Sequence, residues 1–256
     1  MDSFDEVCMV YIFDGTTQGF LTAFLRAFTD ENALLTSKQT QLPLGEEVCT
    51  IDTNPTLAEK AAERLKSFDR DAMYDLDTLL RSGMPDNEQI AFRYFRVLAT
   101  EKRPVGKRLA NPDVFNAVTY MKRVGLEIHR MHGFVRFMET ASGALYAPIT
   151  PDNDICDLLL PHFRARLTNY PFVLHDIRRQ KAVVYDGKNA FNAYLPHADV
   201  VISADEQAWQ SLWKEYYQSV NIPSRERLKQ MRAELPVRYR AHLPELQIQP
   251  IGFSKE

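Results

Sequence analysis

Cysteines are scarce in this chain of 256 residues, and they lie far apart. The three cysteines are Cys8, Cys49 and Cys156, and no Cys-x-x-Cys pair is present. This pattern excludes the disulfide framework of a small secreted protein, a cysteine-based zinc finger, and an iron–sulfur cluster held by closely spaced cysteines of this chain. The acidic N-terminus also lacks the basic start and apolar core of a signal peptide. We therefore expect a protein of the reducing cytoplasm.

Long apolar runs and the standard catalytic motifs are missing as well. No apolar run approaches the roughly 18 residues that a transmembrane helix requires, so we expect no membrane partner. The sequence has no GxxxxGK(S/T), no GxGxxG after a strand, no GxSxG and no HExxH motif. These absences argue against an ATPase of the P-loop type, a Rossmann dehydrogenase and an α/β-hydrolase.

The composition is that of an ordinary folded protein, but its charge is unevenly placed. Hydrophobic residues make up 45%, charged residues 25%, and the formal net charge is -3. Residues 1–90 carry 7 Lys or Arg against 17 Asp or Glu, whereas residues 91–256 carry 24 against 17. This asymmetry favours an anionic partner for the second part. The alternative is that the two parts have solvated faces of opposite sign.

The periodicity of apolar residues predicts an α+β fold that is rich in helices. A β-branched run at residues 6–13 predicts a first strand, and Asp14-Gly15 ends it. Helical patterns follow at 18–28, 54–68, 71–82, 87–100, 111–131, from Asp152 or Asp154 to 167, from 203 onward, and in short basic helices at 224–243. Short antiparallel hairpins are predicted in the second half, at 134–139 with 143–148 and at 172–177 with 181–185. We divide the chain into an acidic part, 1–85, and a basic part that carries the motifs, 86–256.

Histidines and carboxylates at the ends of predicted elements are the candidate catalytic residues. His129-x-x-His132 closes a helix, where two imidazoles on one face could bind a metal or only complement the helix dipole. The candidate catalytic residues are His129, His162, His175, Asp152, Asp154 and Asp176. Such groups suit proton transfer, a divalent metal or contacts to phosphate. The alternative is that the aspartates cap helices and the histidines pack under loops.

Arginines that lie near aromatic residues are the candidate nucleic-acid contacts. They are Arg136, Arg164, Arg166, Arg178 and Arg179, together with Tyr146. Guanidinium groups beside aromatic faces suit a phosphate backbone and splayed bases, although strand aromatics are more often part of a core. We expect the helical stripe Trp209, Trp213, Tyr216 and Tyr217 to lie in the core, with a face that docks a partner as the alternative.

Several motifs resemble one bacterial family. They are FDGTTQGFLTAFLRAF (13–28), HRMHGFVRF (129–137), LYAPITPDNDI (145–155), LLLPHFRARL (158–167), VLHDIRR (173–179), VVYDG (183–187) and VRYRAHLPEL (237–246). The chain is similar to the "probable DNA metabolism protein" group, although that family usually has a second aromatic residue where this chain has Arg240. Genes of the group neighbour a radical-SAM protein of DNA modification or repair, and its domain is sometimes fused to a uracil-DNA-glycosylase-like domain.

The resemblance implies a context of DNA repair or modification and a radical-SAM partner. Because this chain lacks the three-cysteine cluster motif, the iron–sulfur cluster and S-adenosylmethionine are expected on that partner, and no cofactor is predicted here. The positions that match the family pattern are His129, Arg136, Tyr146, Asp152, Asp154, His162, Arg166, His175, Asp176, Arg178 and Arg179.

Three hypotheses for function follow from these observations. The leading one is an accessory protein that binds DNA beside the radical-SAM partner, with arginines on phosphates and the histidines and aspartates in proton transfer or metal binding. The second is a hydrolytic enzyme, metal-dependent or acid–base, that acts on nucleic acid. The third is a non-catalytic adaptor whose acidic first third docks the partner.

Overall fold

The computed structural model describes residues 9–38, 47–220 and 235–246, without the side chains of 217–220. The chain divides into two compact units, Met1–Val124 and Gly125–Glu256. This division falls inside a helix and not near residue 85, where the sequence changes character. The division into an acidic part, 1–85, and a motif-bearing part, 86–256, stays a prediction. The two compact units are described separately below.

A three-stranded parallel sheet begins the first unit. Strand β1 (Met9–Ile12) lies between β2 (Leu34–Thr36) and β3 (Glu47–Thr50), and it pairs in parallel with both. The first strand was predicted, although residues 6–8 of its predicted range lie outside the described residues. Strands β2 and β3 were missed because they are only 3 and 4 residues long, and β3 is largely exposed and so lacks an apolar pattern.

Five helices follow the pattern that the sequence predicts. They are α1 (Thr17–Ala27), α2 (Pro55–Phe68), α3 (Ala72–Leu80), α4 (Asn87–Glu101) and α5 (Pro112–Phe134). The side chain of Thr16 caps α1 by accepting a hydrogen bond from the amide of Gly19 at 2.9 Å. Asn54 caps α2 in the same way, with Pro55 at the first helical position.

Aromatic side chains form the core of the first unit. Phe20 of α1 is fully buried and contacts the rings of Phe13, Phe24 and Phe95 at centroid distances of 5.8 to 6.5 Å. Leucines and alanines of α2, α3 and α4 complete this core. The apolar stripe that predicted α1 is therefore the face that α1 buries.

The second unit contains a mixed sheet of five strands. They are β4 (Met138–Glu139), β5 (Leu145–Ile149), β6 (Phe172–Asp176), β7 (Lys181–Tyr185) and β8 (Ala190–Tyr194), in that order across the sheet. Three neighbouring pairs are antiparallel, whereas β5 and β6 are parallel. The two predicted hairpins and the α+β class are confirmed. The parallel pairing and the exposed strand β8 were not predicted.

Helices connect and cover this sheet. A 3₁₀ turn (Asp157–Leu159) and α6 (Leu160–Arg166) form the crossover from β5 to β6, so the predicted helix begins later than Asp154. Helix α7 (Glu206–Val220) follows β8. Helix α8 (Val237–Arg240) and a 3₁₀ turn (Pro244–Leu246) end the described chain. Residues 224–234 of the predicted basic helices lie outside the described residues.

The sequence predicts that the aromatic stripe of α7 lies in the core, and this prediction is wrong. Trp209 is 60% exposed, Trp213 is 40% exposed and Tyr216 is also exposed. The side chain of Tyr217 lies outside the described residues. In the ranges that the structure describes, no helix combines the length and apolarity that crossing a bilayer requires.

Candidate functional site

The parallel strands β5 and β6 end at the same edge of the sheet, and polar loops follow both. Residues 150–154 follow β5, and residues 177–180 follow β6. Five of the predicted residues lie at or beside this edge: Asp152, Asp154, Asp176, Arg178 and Arg179. Ligands of sheets with parallel strands commonly bind at the carboxyl ends of those strands.

Arg179 holds the two loops together. Its Nη1 donates to Asp176 Oδ2 at 2.9 Å and to the carbonyl of Pro151 at 3.0 Å, and its Nη2 donates to the carbonyl of Asp152. Asp176 is 0% exposed, and the guanidinium of Arg179 compensates its buried charge. Arg179 and Asp176 therefore form a buried structural pair, and their predicted roles in binding and catalysis stay predictions.

Glu127 of α5, which the sequence did not single out, accepts hydrogen bonds from two other parts of the unit. Its buried carboxylate accepts from the amides of Asp152 and Asn153 at 2.9 and 2.8 Å and from Asn153 Nδ2 at 2.6 Å. The hydroxyl of Tyr239 in α8 also donates to it. Burial, and then the bond to Glu127, raise the pKa of Tyr239, so this hydroxyl stays a donor. Glu127 thus fixes the loop after β5 and α8 against α5.

The carboxylates of Asp152 and Asp154 lie nearer the surface, and both are paired. Asp152 accepts from Arg238 Nη2, and its Oδ1 lies 4.0 Å from Arg178 Nη1. Asp154 pairs with Lys181. Arg178 is 65% exposed, which makes it the cation of this edge that a ligand in solvent can reach most easily.

His175 is buried, and both of its ring nitrogens are occupied. A carbonyl can only accept, so Nε2 donates to the carbonyl of Leu195 at 2.9 Å, and Nδ1 accepts from the hydroxyl of Tyr146 at 2.7 Å. Burial lowers the pKa of His175 and raises that of Tyr146 to about 12. The neutral imidazole and the hydroxyl therefore stabilise each other inside the unit.

The imidazole of His162 contacts His132, not His129 or His175. The rings of His132 and His162 stack with centroids 4.1 Å apart and an interplanar angle of 15°. Neither buried Nε2 atom has a hydrogen-bond partner among the described residues. Burial, followed by the neighbouring His162 and His129, lowers the pKa of His132. His129 is exposed on the same helix.

The described side chains do not gather into a metal site. Within residues 9–38, 47–220 and 235–246, no group of three or more His, Cys, Asp or Glu side chains is arranged to hold a metal ion. The predicted set thus separates into the stacked His162, the buried His175 and Asp176, the paired Asp152 and Asp154, and the exposed His129. Whether any of them is catalytic stays a prediction.

A pocket of about 550 Å³ opens between α6, α7 and the turn after α5. Four aromatic side chains line it, Phe137, Phe163, Trp209 and Trp213, together with Arg136 and Arg166. Phe163 also packs edge-on against both His132 and His162. This is the size and the largely apolar lining of a small-molecule site with a few polar anchors.

Glu245 sets the positions of an arginine and a tryptophan in this pocket. Its Oε1 accepts from Arg136 Nη2 at 2.6 Å, and its Oε2 accepts from Trp213 Nε1 at 3.1 Å. The guanidinium of Arg136 lies 5.7 Å from the centroid of the Trp213 ring. Arg136 is thereby oriented by the protein itself and is not a freely exposed phosphate contact.

Glu206 and Gln210 of α7 add a buried polar pair to the pocket. Glu206 accepts from the amide of Glu139 at 2.8 Å and from Gln210 Nε2 at 3.0 Å. Gln210 is 5% exposed, and its Oε1 has no hydrogen-bond partner among the described residues. An unpaired buried acceptor is uncommon and calls for a partner.

Of the predicted nucleic-acid contacts, the structure exposes Arg164, Arg166 and Arg178, and it engages Arg136, Arg179 and Tyr146 in internal contacts. Sequence reasoning missed Glu127, Gln210 and Glu245. The motif at 237–246 contained Glu245 and was a usable signal. The sequence carried no such signal at Glu127 or Gln210, because single polar residues are common on helices and do not indicate a site.

Comparison with known proteins identifies a family for most of the second half of the chain. No curated protein and no solved structure matches this chain. A family profile described as a domain of unknown function, DUF4130, matches residues 85–245, which is more than half of the chain. The match includes the strand-end loops, the stacked histidines and the aromatic pocket. The chain therefore belongs to the DUF4130 family.

Proposed function

We propose that the second unit binds nucleic acid and serves DNA repair or modification. The observation that carries the proposal is the surface where Trp209 and Trp213 of α7 meet the exposed Arg166 at an open pocket. Exposed aromatic rings stack on unpaired bases, and nearby guanidinium groups attract the phosphates that join them. Neighbouring exposed aromatic rings that form a patch commonly mark an interaction site.

The exposed arginines of the second unit support this proposal, whereas the net charge of that unit does not. Residues 125–256 carry 16 Lys or Arg and 15 Asp or Glu, so bulk attraction for an anion is weak. Many acidic groups of the described part are paired internally, as in Glu127, Asp176 and Glu245. Arg164, Arg166 and Arg178 remain exposed and supply the phosphate contacts of the proposed interface.

Binding of a labelled oligonucleotide, followed by fluorescence anisotropy, tests this function. We expect binding to single-stranded DNA at low salt, with an affinity that falls linearly on a logarithmic plot against salt concentration. Arg166→Ala should weaken binding and reduce the salt slope by about 1. The matched control is Arg70→Ala, at an exposed arginine of the first unit, which should change neither. Absence of binding to single- and double-stranded DNA at low salt would refute the proposal.

We also propose that the chain acts beside a radical-SAM protein, which would contribute the iron–sulfur cluster and S-adenosylmethionine. This part rests on the resemblance of the sequence motifs and on the lack of clustered cysteines in the chain. Co-purification with the product of a neighbouring radical-SAM gene tests it. An accessory DNA-binding protein should bind both the partner and DNA, whereas an adaptor should bind the partner alone.

The stacked pair His132 and His162 favours a second candidate, in which the chain itself hydrolyses nucleic acid by acid–base catalysis. An imidazole nitrogen that carries no proton can accept one, and the Nε2 atoms of both rings lack a hydrogen-bond partner among the described residues. Phe163 links the pair to the pocket wall. Incubation of labelled single-stranded DNA with the protein, with and without divalent metal ions, tests this candidate. Cleavage that His162→Gln abolishes would support it, and intact DNA under all conditions would exclude it.

A further inference from the structure

Both tryptophans of the chain line the aromatic pocket. Trp209 and Trp213 are one helical turn apart on α7, so their indole rings lie on one face of the helix. Tyr216 continues this face beyond the pocket, with its ring 5.7 Å from that of Trp213. A flat ligand that enters the pocket can therefore stack on an indole, and a second flat group can stack outside it.

The polar atoms that lack partners define the edge of that ligand. Gln210 is oriented because its Nε2 donates to Glu206, which leaves Oε1 as a fixed acceptor. Arg136 is oriented by Glu245, and its buried Nε–H has no acceptor among the described residues. A ligand that satisfies both needs one hydrogen-bond donor and one acceptor on its rim. Every nucleobase has a flat face and both kinds of group on its edge.

We infer that the pocket receives a single unstacked base of a nucleic-acid strand. The inference rests on the proposed function and adds to it the part of the strand that the pocket recognises. Arg166 lines the same pocket and is exposed, so it lies where the phosphate that flanks an inserted base would be. The exposed ring of Tyr216 favours a strand over a free nucleotide, because it offers a place for the neighbouring base.

Tryptophan emission reports on this pocket directly, since no other tryptophan is present. Three probes separate the possible ligands: a ten-residue oligothymidylate, a strand of the same length made wholly of abasic sites, and thymidine monophosphate. We expect the oligothymidylate to bind and to quench the emission. The abasic strand should bind about tenfold or more weakly, because stacking is lost, and should leave the emission unchanged.

Variants of the pocket sharpen the test. Gln210→Leu should lower the affinity for oligothymidylate about five- to tenfold, because the fixed acceptor is lost. Gln207→Leu, at an exposed position of the same helix, is the matched control and should leave the affinity unchanged. Trp209→Phe and Trp213→Phe keep an aromatic ring at each position and show which indole the base contacts. Far-ultraviolet circular dichroism verifies that each variant is folded.

The outcomes distinguish this inference from the proposed function. If anisotropy shows equal binding of oligothymidylate and the abasic strand, with no quenching, the base pocket is refuted while DNA binding stands. If only the free monophosphate binds and quenches, the pocket belongs to a mononucleotide and the strand is refuted. If nothing binds at low salt, the proposed function itself fails. Because the probe comparison uses the unmodified protein, it does not depend on the stability of any variant.

Discussion

The two units differ in the packing of their aromatic side chains and in the hydrogen bonding of their buried polar atoms. In the first unit, aromatic rings such as Phe20, Phe24 and Phe95 pack together in a closed core. In the second unit, Trp209, Trp213 and Tyr216 lie on the surface. Among the described residues, the buried side-chain nitrogen and oxygen atoms that lack a hydrogen-bond partner fall in the second unit. They include atoms of His132, Arg136, His162, Ser203 and Gln210.

This difference indicates where function resides. A protein gains stability by burying rings and by pairing every buried polar group. In the described part of the first unit, the buried side-chain nitrogen and oxygen atoms all have hydrogen-bond partners, although the rings of Tyr74 and Phe115 are exposed. Around the aromatic pocket, the second unit combines exposed rings with buried polar atoms that lack partners among the described residues. Departures of this kind concentrate at sites that a ligand completes. The functional proposals therefore concern the second unit.

The largest effect is expected from removal of a core ring in the first unit. Phe20→Ala leaves a cavity among Phe13, Phe24 and Phe95, and it should lower the free energy of unfolding by about 3–5 kcal/mol. Trp209→Ala, at the exposed ring of the second unit, should change that free energy by less than about 0.5 kcal/mol. Urea denaturation followed by circular dichroism measures both.

The contrast between these two variants is the informative quantity. If Trp209→Ala destabilises the protein as strongly as Phe20→Ala, the indole is a structural element. The aromatic rings of the two units then do not differ in role. If Trp209→Ala is neutral for stability and weakens DNA binding, the exposed ring has a role in binding.

The second prediction concerns Glu127, a buried carboxylate that ties α5 to the loop after β5 and to α8. Glu127→Gln keeps the size of the side chain but replaces an acceptor by a donor opposite the amides of Asp152 and Asn153. Breaking a buried, charged network of this kind should lower the free energy of unfolding by about 3 kcal/mol. Glu139→Gln, at an exposed carboxylate of the same unit, is the control and should have little effect. Equal stability of both variants would show that the network is dispensable.

The third prediction is a difference in acid sensitivity. All six histidines lie in the second unit, and burial lowers the pKa values of His132, His175 and His242 below the ordinary 6.5. The unfolded chain therefore takes up protons first as the pH falls below about 6.5. The second unit loses stability from there down to the lowered pKa values, by at most about 1.4 kcal/mol per pH unit for His175. Of the first unit's described carboxyls, Asp14, Asp75 and Glu101 have shifted pKa values, and the ordinary values are 3.8 for aspartate and 4.5 for glutamate.

Urea unfolding at pH 7.5 and 5.5 measures this difference, since tryptophan emission reports the second unit alone. The midpoint should fall at pH 5.5. His175→Gln should reduce the pH dependence, whereas His197→Gln, at an exposed histidine, should not. A first unit that loses protection from hydrogen exchange over the same pH interval, after correction for the intrinsic rate, would contradict the prediction.

Much of the fold could be predicted because its signals are local. The stripe of Phe20, Phe24 and Phe28 determines a helix face, and Asn54-Pro55 determines a helix start, without any information from distant residues. The hairpins of the second unit likewise follow from alternation and turn residues. The parallel pairing of β5 with β6 was missed because it depends on a crossover through α6, which no short pattern encodes.

The site could be predicted less well, for the same reason. The sequence singled out histidines and arginines by residue type, but their roles depend on which long-range partners they have. Arg136 contacts Glu245, and His162 contacts His132, across intervals in the chain that carry no periodic signal. The charge asymmetry also depends on where the chain is divided. At the boundary between the units, the first carries 15 basic and 19 acidic residues, a far smaller imbalance than residues 1–90 have.

The smallest predicted effect compares one exposed polar residue from each unit. Asn54→Ala removes the side-chain acceptor that caps α2 and should lower the free energy of unfolding by about 1 kcal/mol. Arg178→Ala removes a side chain whose described ion-pair contact is 4.0 Å from Asp152, so it should change stability by less than about 0.5 kcal/mol. The same Arg178 variant should weaken binding of single-stranded DNA and reduce its salt dependence, while the Asn54 variant should bind DNA normally. If Arg178→Ala instead destabilises the protein and leaves DNA binding intact, its guanidinium is structural like that of Arg179, and the proposed interface loses one of its three exposed arginines.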